Sequence, residues 1–219
     1  VKKILLLLLT LAVPAASYAE EQLLTLPSWS LELKGGTFAP ALDNWAQYYG
    51  RKDMPEYAVT LAYKVLRQLE FGVGVGAARD RGQAYAPLHS AAAGQAYLAG
   101  SVSTKLYPLN VFVLARGIIS ENQWVVPYIG AGWTRMYYRQ TVDEQGGEVR
   151  GSADGYHVRG GLQLCLDGLD ESAANNMYTD YEVYHTYLFI EVEKTQAKVK
   201  SLSVELGGTA YLTGLLFEF

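Results

Sequence analysis

The sequence has one cysteine, Cys165, in 219 residues, so no disulfide can form within the chain. Past the first nineteen residues it has no long apolar run, which excludes helical membrane spans of roughly 20 residues. Basic charge is also short: 18 Lys and Arg stand against 22 Asp and Glu, a formal net charge of −4, which argues against a nucleic-acid partner. Histidine is scarce, with only His89, His157 and His185. His89 and Ser90 are adjacent but lie among Ala and Gly, with no third group to orient a base. Gly72-x-Gly-x-Gly76 is strand alternation without the helix that a phosphate-binding loop requires. Cys165 and His185 can share one face near a common end, yet two ligands fall short of a zinc site. No catalytic, cofactor-binding or metal-ligating set is expected.

What is present begins at the N-terminus. Lys2-Lys3 precede the apolar stretch 4–13, and Ser17-Tyr-Ala19 places small residues where a signal peptidase reads them. A cleaved signal peptide is expected over 1–19 and a single domain over 20–219. Its removal takes two lysines, leaving 16 basic against 22 acidic residues, a net −6. No cysteine sits at the cleavage point, so a lipid anchor is not expected there.

The last nine residues alternate. Tyr211, Thr213, Leu215, Phe217 and Phe219 form one face, apolar except for the threonine, as in a β-strand with one side in grease. The same alternation recurs upstream. A first strand spans about 28–39, and a second sets Tyr57, Val59, Leu61, Tyr63 and Val65 against Ala58, Thr60, Ala62 and Lys64. After the tight Arg67-Gln68 link, a third sets Phe71, Val73, Val75 and Ala77 against Gly72, Gly74, Gly76 and Ala78. The fourth runs from Gln95 to Ile118 and changes parity at Pro108: Leu98, Val102, Thr104 and Leu106 share a face before it, Val111, Val113 and Ala115 after it. A bulge between Tyr107 and Asn110 would reconcile the halves; a turn there would make two strands and an odd total. The fifth strand starts at Trp124 after a turn at Glu121-Asn122 and reaches about Gln140. The sixth is the cleanest: Tyr156, Val158, Gly160, Leu162, Leu164 and Leu166 oppose His157, Arg159, Gly161, Gln163, Cys165 and Asp167. A link over 168–180, with one helical turn around 171–175, leads to a seventh strand of Tyr184, Thr186, Leu188, Ile190 and Val192. The eighth starts near Ser201 and needs a bulge at Gly207-Gly208 to bring Val204 and Leu206 into phase with Tyr211. Long links are expected at 40–55, 80–94 and 142–152.

The C-terminal stretch resembles the closing-strand signal of bacterial outer-membrane β-barrels in Tyr211, Gly214, Phe217 and the final Phe219. It departs from that pattern at Leu212, where a polar residue is expected. Pro127-Tyr-Ile-Gly-Ala-Gly132 is similar to a strand of the eight-stranded barrels related to outer-membrane protein W, the A-type barrel and the opacity proteins. The resemblance implies an all-β, antiparallel, up-and-down eight-stranded transmembrane barrel of a Gram-negative outer membrane, monomeric and without cofactors. It implies outer-membrane lipids and lipopolysaccharide as surroundings, and the barrel-assembly machinery as reader of the last strand. The implied role is a non-enzymatic envelope protein or a narrow, porin-like pore for small molecules, hydrophobic ones among them. A lipid-modifying enzyme and a surface adhesion or binding barrel are the alternatives, though the last two strands lack the His-x-Ser pattern of outer-membrane deacylases.

The charges then acquire a direction. Glu32, Lys34, Lys64, Arg135, Arg139, Arg159, Glu191, Glu193 and Glu205 fall opposite apolar faces, and a basic side chain facing lipid costs roughly 2–4 kcal/mol at the midplane. All nine are expected inside, with each of the three arginines paired to an inward carboxylate, Glu191 and Glu193 being the first candidates. The glycine face of the third strand should make room for those arginines. An eight-stranded interior is about filled by its own side chains, so a packed charge network is expected.

Overall fold

The computed structural model describes residues 27–41, 45–87, 96–120, 123–142, 147–199 and 204–219. The signal peptide expected over 1–19, Glu121-Asn122, His89-Ser90 and the centres of the links at 88–95, 143–146 and 200–203 lie outside them.

The strands are β1 (Trp29–Pro40), β2 (Met54–Leu66), β3 (Leu69–Pro87), β4 (Ala96–Arg116), β5 (Val125–Val142), β6 (Gly147–Cys165), β7 (His185–Val199), the two-residue β8 (Val204–Glu205) and β9 (Gly208–Glu218). Each pairs antiparallel with its chain neighbour through β7. β8 and β9 lie along one line beside β7, and β9 pairs with β1 to close an eight-stranded barrel. Trp29 and Phe219 exchange backbone hydrogen bonds of 3.0 and 2.9 Å at this seam, so the wall is continuous around the barrel from this end to the level of Ala78 and Asp154.

Register fixes the shape. Hydrogen-bonded partners run from Leu33 through Val59, Val75, Leu109, Arg135, Asp154 and Lys198 to Glu205. Leu33 also pairs with Leu215, ten residues farther along the same line. A stagger of ten over eight strands tilts them by about 40° from the barrel axis.

The end at the seam is here termed the near end, the other the far end. Between them the outer face carries a belt of Leu33, Val59, Leu61, Val73, Val75, Val111, Val113, Ile129, Val158, Leu162, Leu188 and Ile190, all exposed. Aromatic residues rim it: Trp29, Tyr63, Phe71 and Trp124 on the near side, Tyr57, Tyr107, Trp133, Tyr137, Tyr156 and Tyr211 on the far side. Roughly 9–11 residues of a tilted strand cross a bilayer. β3 to β6, at 18 to 21 residues, therefore run well past the far rim.

Beyond that rim the polarity inverts. Outward positions become Arg79, Arg81, Lys105, Arg139, Ser152, Asp154, Lys194 and Lys198, while inward ones become apolar. Phe38, Met54, Ala78, Leu106, Met136, Ala153, Ala197, Val199, Ala210 and Leu212 form a buried cluster there. A helix within the first link, α1 (Trp45–Tyr49), drops Trp45 into this cluster with its ring stacked on Tyr49 at 3.9 Å.

This inversion corrects three expectations. β4 keeps a single register with β3 from Leu69 through Ala84 and with β5 throughout, so no bulge or turn occurs at Pro108. Its only shift lies at Ala84/Tyr85. Val102, Thr104 and Leu106 face inward with Pro108, Asn110 and Phe112, and the sequence's change of parity is a change of what the interior requires. Likewise β8 and β9 share one register with β7, and Leu206 packs against the interior cluster without a bulge at Gly207-Gly208. Arg135 and Arg139 lie on the outer face at and beyond the far rim, where their guanidinium groups meet water rather than hydrocarbon.

Two lengths also differ. β3 continues to Pro87, and β5 and β6 extend to Val142 and from Gly147, so both far-end links are shorter than the sequence suggests. The β6–β7 link holds three helical turns rather than one, α2 (Glu171–Tyr181). Asp170 caps its start by accepting the Ala173 N–H at 2.9 Å, and Glu182 ends it in the left-handed region at φ 58°.

Candidate functional site

The lumen is the candidate, because alternation on eight strands delivers every second side chain into one enclosed space. It is layered. Nearest the seam, Arg116 from the end of β4 donates to Glu70 at 3.1 Å and to Glu218. Lys64 reaches the same Glu218 carboxylate at 2.5 Å, and Ser30 donates to Glu70 at 3.1 Å. The Arg116 guanidinium lies 5.0 Å above the Tyr187 ring. Two cations meet two carboxylates here.

The middle layer is built on Arg159. Its guanidinium bridges Glu32 at 2.5 Å and Glu191 at 2.9 Å, and Lys34 binds Glu191 at 2.7 Å and approaches Glu32 at 3.7 Å. Tyr128 donates its hydroxyl to Glu191 at 2.9 Å. The Phe112 and Tyr128 rings face the guanidinium at 4.5 and 5.7 Å. Arg159 is 2 % exposed, so this is a desolvated four-charge cluster whose signs balance.

Above it the chemistry is anionic and hydroxylic. Asn110 donates to Glu193 at 3.2 Å, and Thr195 adds a hydrogen bond of 3.3 Å. Thr134 contacts Asn110 and lies 3.1 Å from His157 Nδ1. Glu56 points in from β2, its Oε2 without a hydrogen-bond partner, beside a cavity with room for about one water molecule. Above these lies the apolar cluster capped by Trp45. Asp80, buried at the mouth, accepts from Arg51 Nε at 2.9 Å, which ties the loop after α1 to the rim.

Of the nine charges expected inside, Glu32, Lys34, Lys64, Arg159, Glu191 and Glu193 face the lumen, and all but Glu193 make lumenal ion pairs. Arg135, Arg139 and Glu205 do not join them; Glu205 lies in register with Lys198 on the outer face. Arg135 pairs with its cross-strand partner Asp154 at 2.7 Å and lies 5.3 Å from the Trp133 ring. Arg139 pairs with Glu148 at 2.7 Å. The glycine face is used differently too: a Cβ at Gly72 would collide with the Phe112 ring, so the space there belongs to an aromatic and not to an arginine. At the seam, a Cβ on Gly214 would run into the Leu33 carbonyl, so glycine permits the close approach of β9 to β1.

Sequence reasoning missed Glu56, Glu70, Arg116 and Glu218. Each lies near a strand end, where a charge reads as solvated. Parity was the available signal: Glu218 shares its face with Leu212 and Leu216, opposite Phe217.

A second cluster sits at the near-end rim, where Asp167 contacts His185 Nδ1 at 2.7 Å and Cys165 Sγ at 3.4 Å. Partial burial would raise the Asp167 carboxyl, but the His185 ring and the Thr186 N–H, 3.0 Å away, hold it below the usual carboxylate range.

No protein-family model matches the sequence, and no curated protein matches it. Solved structures do. The crystal structure of Neisserial surface protein A is similar with a TM-score of 0.55 at 12% identity, over 87% of this chain and 97% of that one. The outer membrane protein OprG from Pseudomonas aeruginosa gives 0.54 at 14%, over 89% and 97%. The N-terminal β-barrel domain of Pseudomonas aeruginosa OprF gives 0.51 at 11%, over 89% and 98%. At such identities the likeness speaks for the fold, and the belt, the aromatic rims and the closed seam say which solvent that fold stands in. The chain has the fold of the eight-stranded β-barrels of bacterial outer membranes, with an outer face built for lipid.

Proposed function

We propose that this barrel is a closed, non-enzymatic structural element of the envelope and not a standing pore. The observation that carries the reading is the middle of the lumen. Arg159, Glu32, Glu191 and Lys34 span the interior as a buried, charge-balanced bridge, and Trp45 caps the apolar space beyond. An ion crossing would have to break two or more desolvated ion pairs, each costing about 3–5 kcal/mol when one partner is lost. The enzymatic alternative has little support among the described residues. His157 is walled in by Thr134 and Phe112, and at the rim Cys165 donates to Asp167 and not to the imidazole that would have to activate it.

Residues 1–19 act in this reading as the export signal, and Tyr211, Gly214, Phe217 and Phe219 as the part of β9 that the barrel-assembly machinery reads. The near end then faces the periplasm, and outer-membrane lipid and lipopolysaccharide meet the belt. Planar-bilayer recording of the purified barrel tests the proposal. The expected result is no sustained conductance in symmetric potassium chloride; steady ohmic steps from wild-type protein would overturn it in favour of a narrow pore.

A further inference from the structure

The near-end rim holds the only group of described residues in which sulfur, nitrogen and oxygen ligands converge. Cys165 is the last residue of β6, Asp167 follows two residues later on the same face, and His185 opens β7 on the neighbouring strand. One ligand atom from each of Cys165, Asp167 and His185 lies within 4.8 Å of the other two. We propose that these three side chains form a transition-metal site of the zinc class, with the fourth position open to water or a ligand from the aqueous phase.

Four observations support it. First, the donor set fits: a thiolate and an imidazole select zinc-like ions over magnesium or calcium, and a third, carboxylate donor completes the number that open zinc sites use. Second, the spacing fits. Tetrahedral bonds of about 2.0–2.3 Å place donor atoms about 3.4–3.6 Å apart. The sulfur–oxygen distance is already 3.4 Å, and the nitrogen–oxygen distance of 2.7 Å opens by about 0.7 Å when the ion replaces the proton between them. Third, the carboxylate is already oriented, because its other oxygen accepts the Thr186 N–H at 3.0 Å, the kind of outer hydrogen bond that tunes a metal ligand. Fourth, the site is reachable. The Asp167 and His185 side chains are 23% and 41% exposed, whereas His157 and the lumenal carboxylates are sealed.

The rival chemistry for these residue types is nucleophilic, and the geometry disfavours it. In a working triad the imidazole touches the nucleophile and the carboxylate stands behind the ring. Here the carboxylate is in the middle and takes a contact from each neighbour. A carboxylate between the sulfur and the ring brings three donor atoms of metal-binding type to one place. The sequence alone offered Cys165 and His185, one ligand too few; Asp167 shares the face of Cys165 by alternation, and the pairing of β6 with β7 brings His185 to both.

Cobalt(II) tests this on the full mature chain, folded in vesicles of phosphatidylcholine and stripped with a chelator under reducing conditions. Wild type should take up one cobalt per chain with a thiolate-to-metal charge-transfer band in the near ultraviolet, and zinc should displace it. C165S should lose the band, and D167N and H185Q should each weaken cobalt binding by about 10-fold or more. Heat-modifiable mobility, read on every variant, shows that the barrel is intact. Absence of the band in wild type, or equal affinity in wild type, C165S and H185Q, would overturn the site. Neither outcome bears on whether the lumen conducts.

Discussion

Replacing Arg159 with methionine should cost the barrel about 3–5 kcal/mol, the range for removing one partner of a buried ion pair. Methionine keeps most of the stem that packs under Phe112 and Tyr128, so the loss isolates the charge. What remains in the middle layer is Lys34 between Glu32 and Glu191, one cation for two desolvated carboxylates. Lys34 is closer to Glu191, at 2.7 Å, than to Glu32, at 3.7 Å, so Glu32 is the group left uncompensated. The double variant R159M/E32Q restores neutrality and should regain at least about half of the lost stability, since the two sites share one cluster and their effects do not add. The assay is equilibrium urea unfolding in vesicles, followed by tryptophan fluorescence. Trp29, Trp124 and Trp133 stand exposed on the outer face, so they report departure from lipid, and heat-modifiable mobility confirms it. A loss below about 1 kcal/mol in R159M would place Arg159 among solvated surface pairs and refute the desolvated bridge. A double variant no better than the single would show that packing, and not charge, carries the effect.

Arg135 is the contrasting case. Its bridge to Asp154 joins side chains 40% and 30% exposed, so R135A should cost under about 1 kcal/mol in the same urea titration. A loss as large as that of R159M would put Arg135 inside after all. Orientation can be read directly on β6 by placing single cysteines at Leu162 and Gln163 in a C165S background: a lipid-soluble maleimide should label the first and spare the second. Equal labelling would mean that β6 does not stand in a membrane wall. Deleting Phe219 removes one of the two residues whose backbones lock the seam. It should reduce the amount of inserted, heat-modifiable barrel in cells while synthesis and export continue, and full insertion of the truncated chain would remove the role given to the last strand.

The membrane-crossing half of this fold is legible in the sequence because lipid imposes one rule on every strand, apolar outward. That rule finds β2, β6 and β7 and points Glu32, Lys34, Lys64, Arg159, Glu191 and Glu193 inward. It fails where the bilayer ends. Past Tyr107 and Trp133 water is on the outside, and Val102, Leu106, Met136 and Leu206 turn inward as they would in a soluble protein. Carrying the lipid rule across that boundary demands bulges at Pro108 and Gly207-Gly208 that the backbone does not make. It also sends Arg135 and Arg139 to the wrong side. The rim ligands were legible only in part for a different reason. Cys165, Asp167 and His185 become neighbours through the pairing of β6 with β7 across a 19-residue link, and spacing along the chain does not encode that contact.

The boundary also sets how this barrel tolerates membranes of different thickness. On the far side of the belt, Arg79, Lys105, Arg135 and Lys194 stand on the outer face just where a thicker hydrocarbon layer would reach. Beyond them the described outer face is mostly polar, and tilting, which shortens the height the belt spans, only widens the mismatch. A thinner layer, by contrast, uncovers only valine and leucine between rims of tyrosine and tryptophan that tolerate water. The mismatch penalty is therefore one-sided. In a bilayer thicker than its belt the protein stays as it is, and the lipid around it must thin.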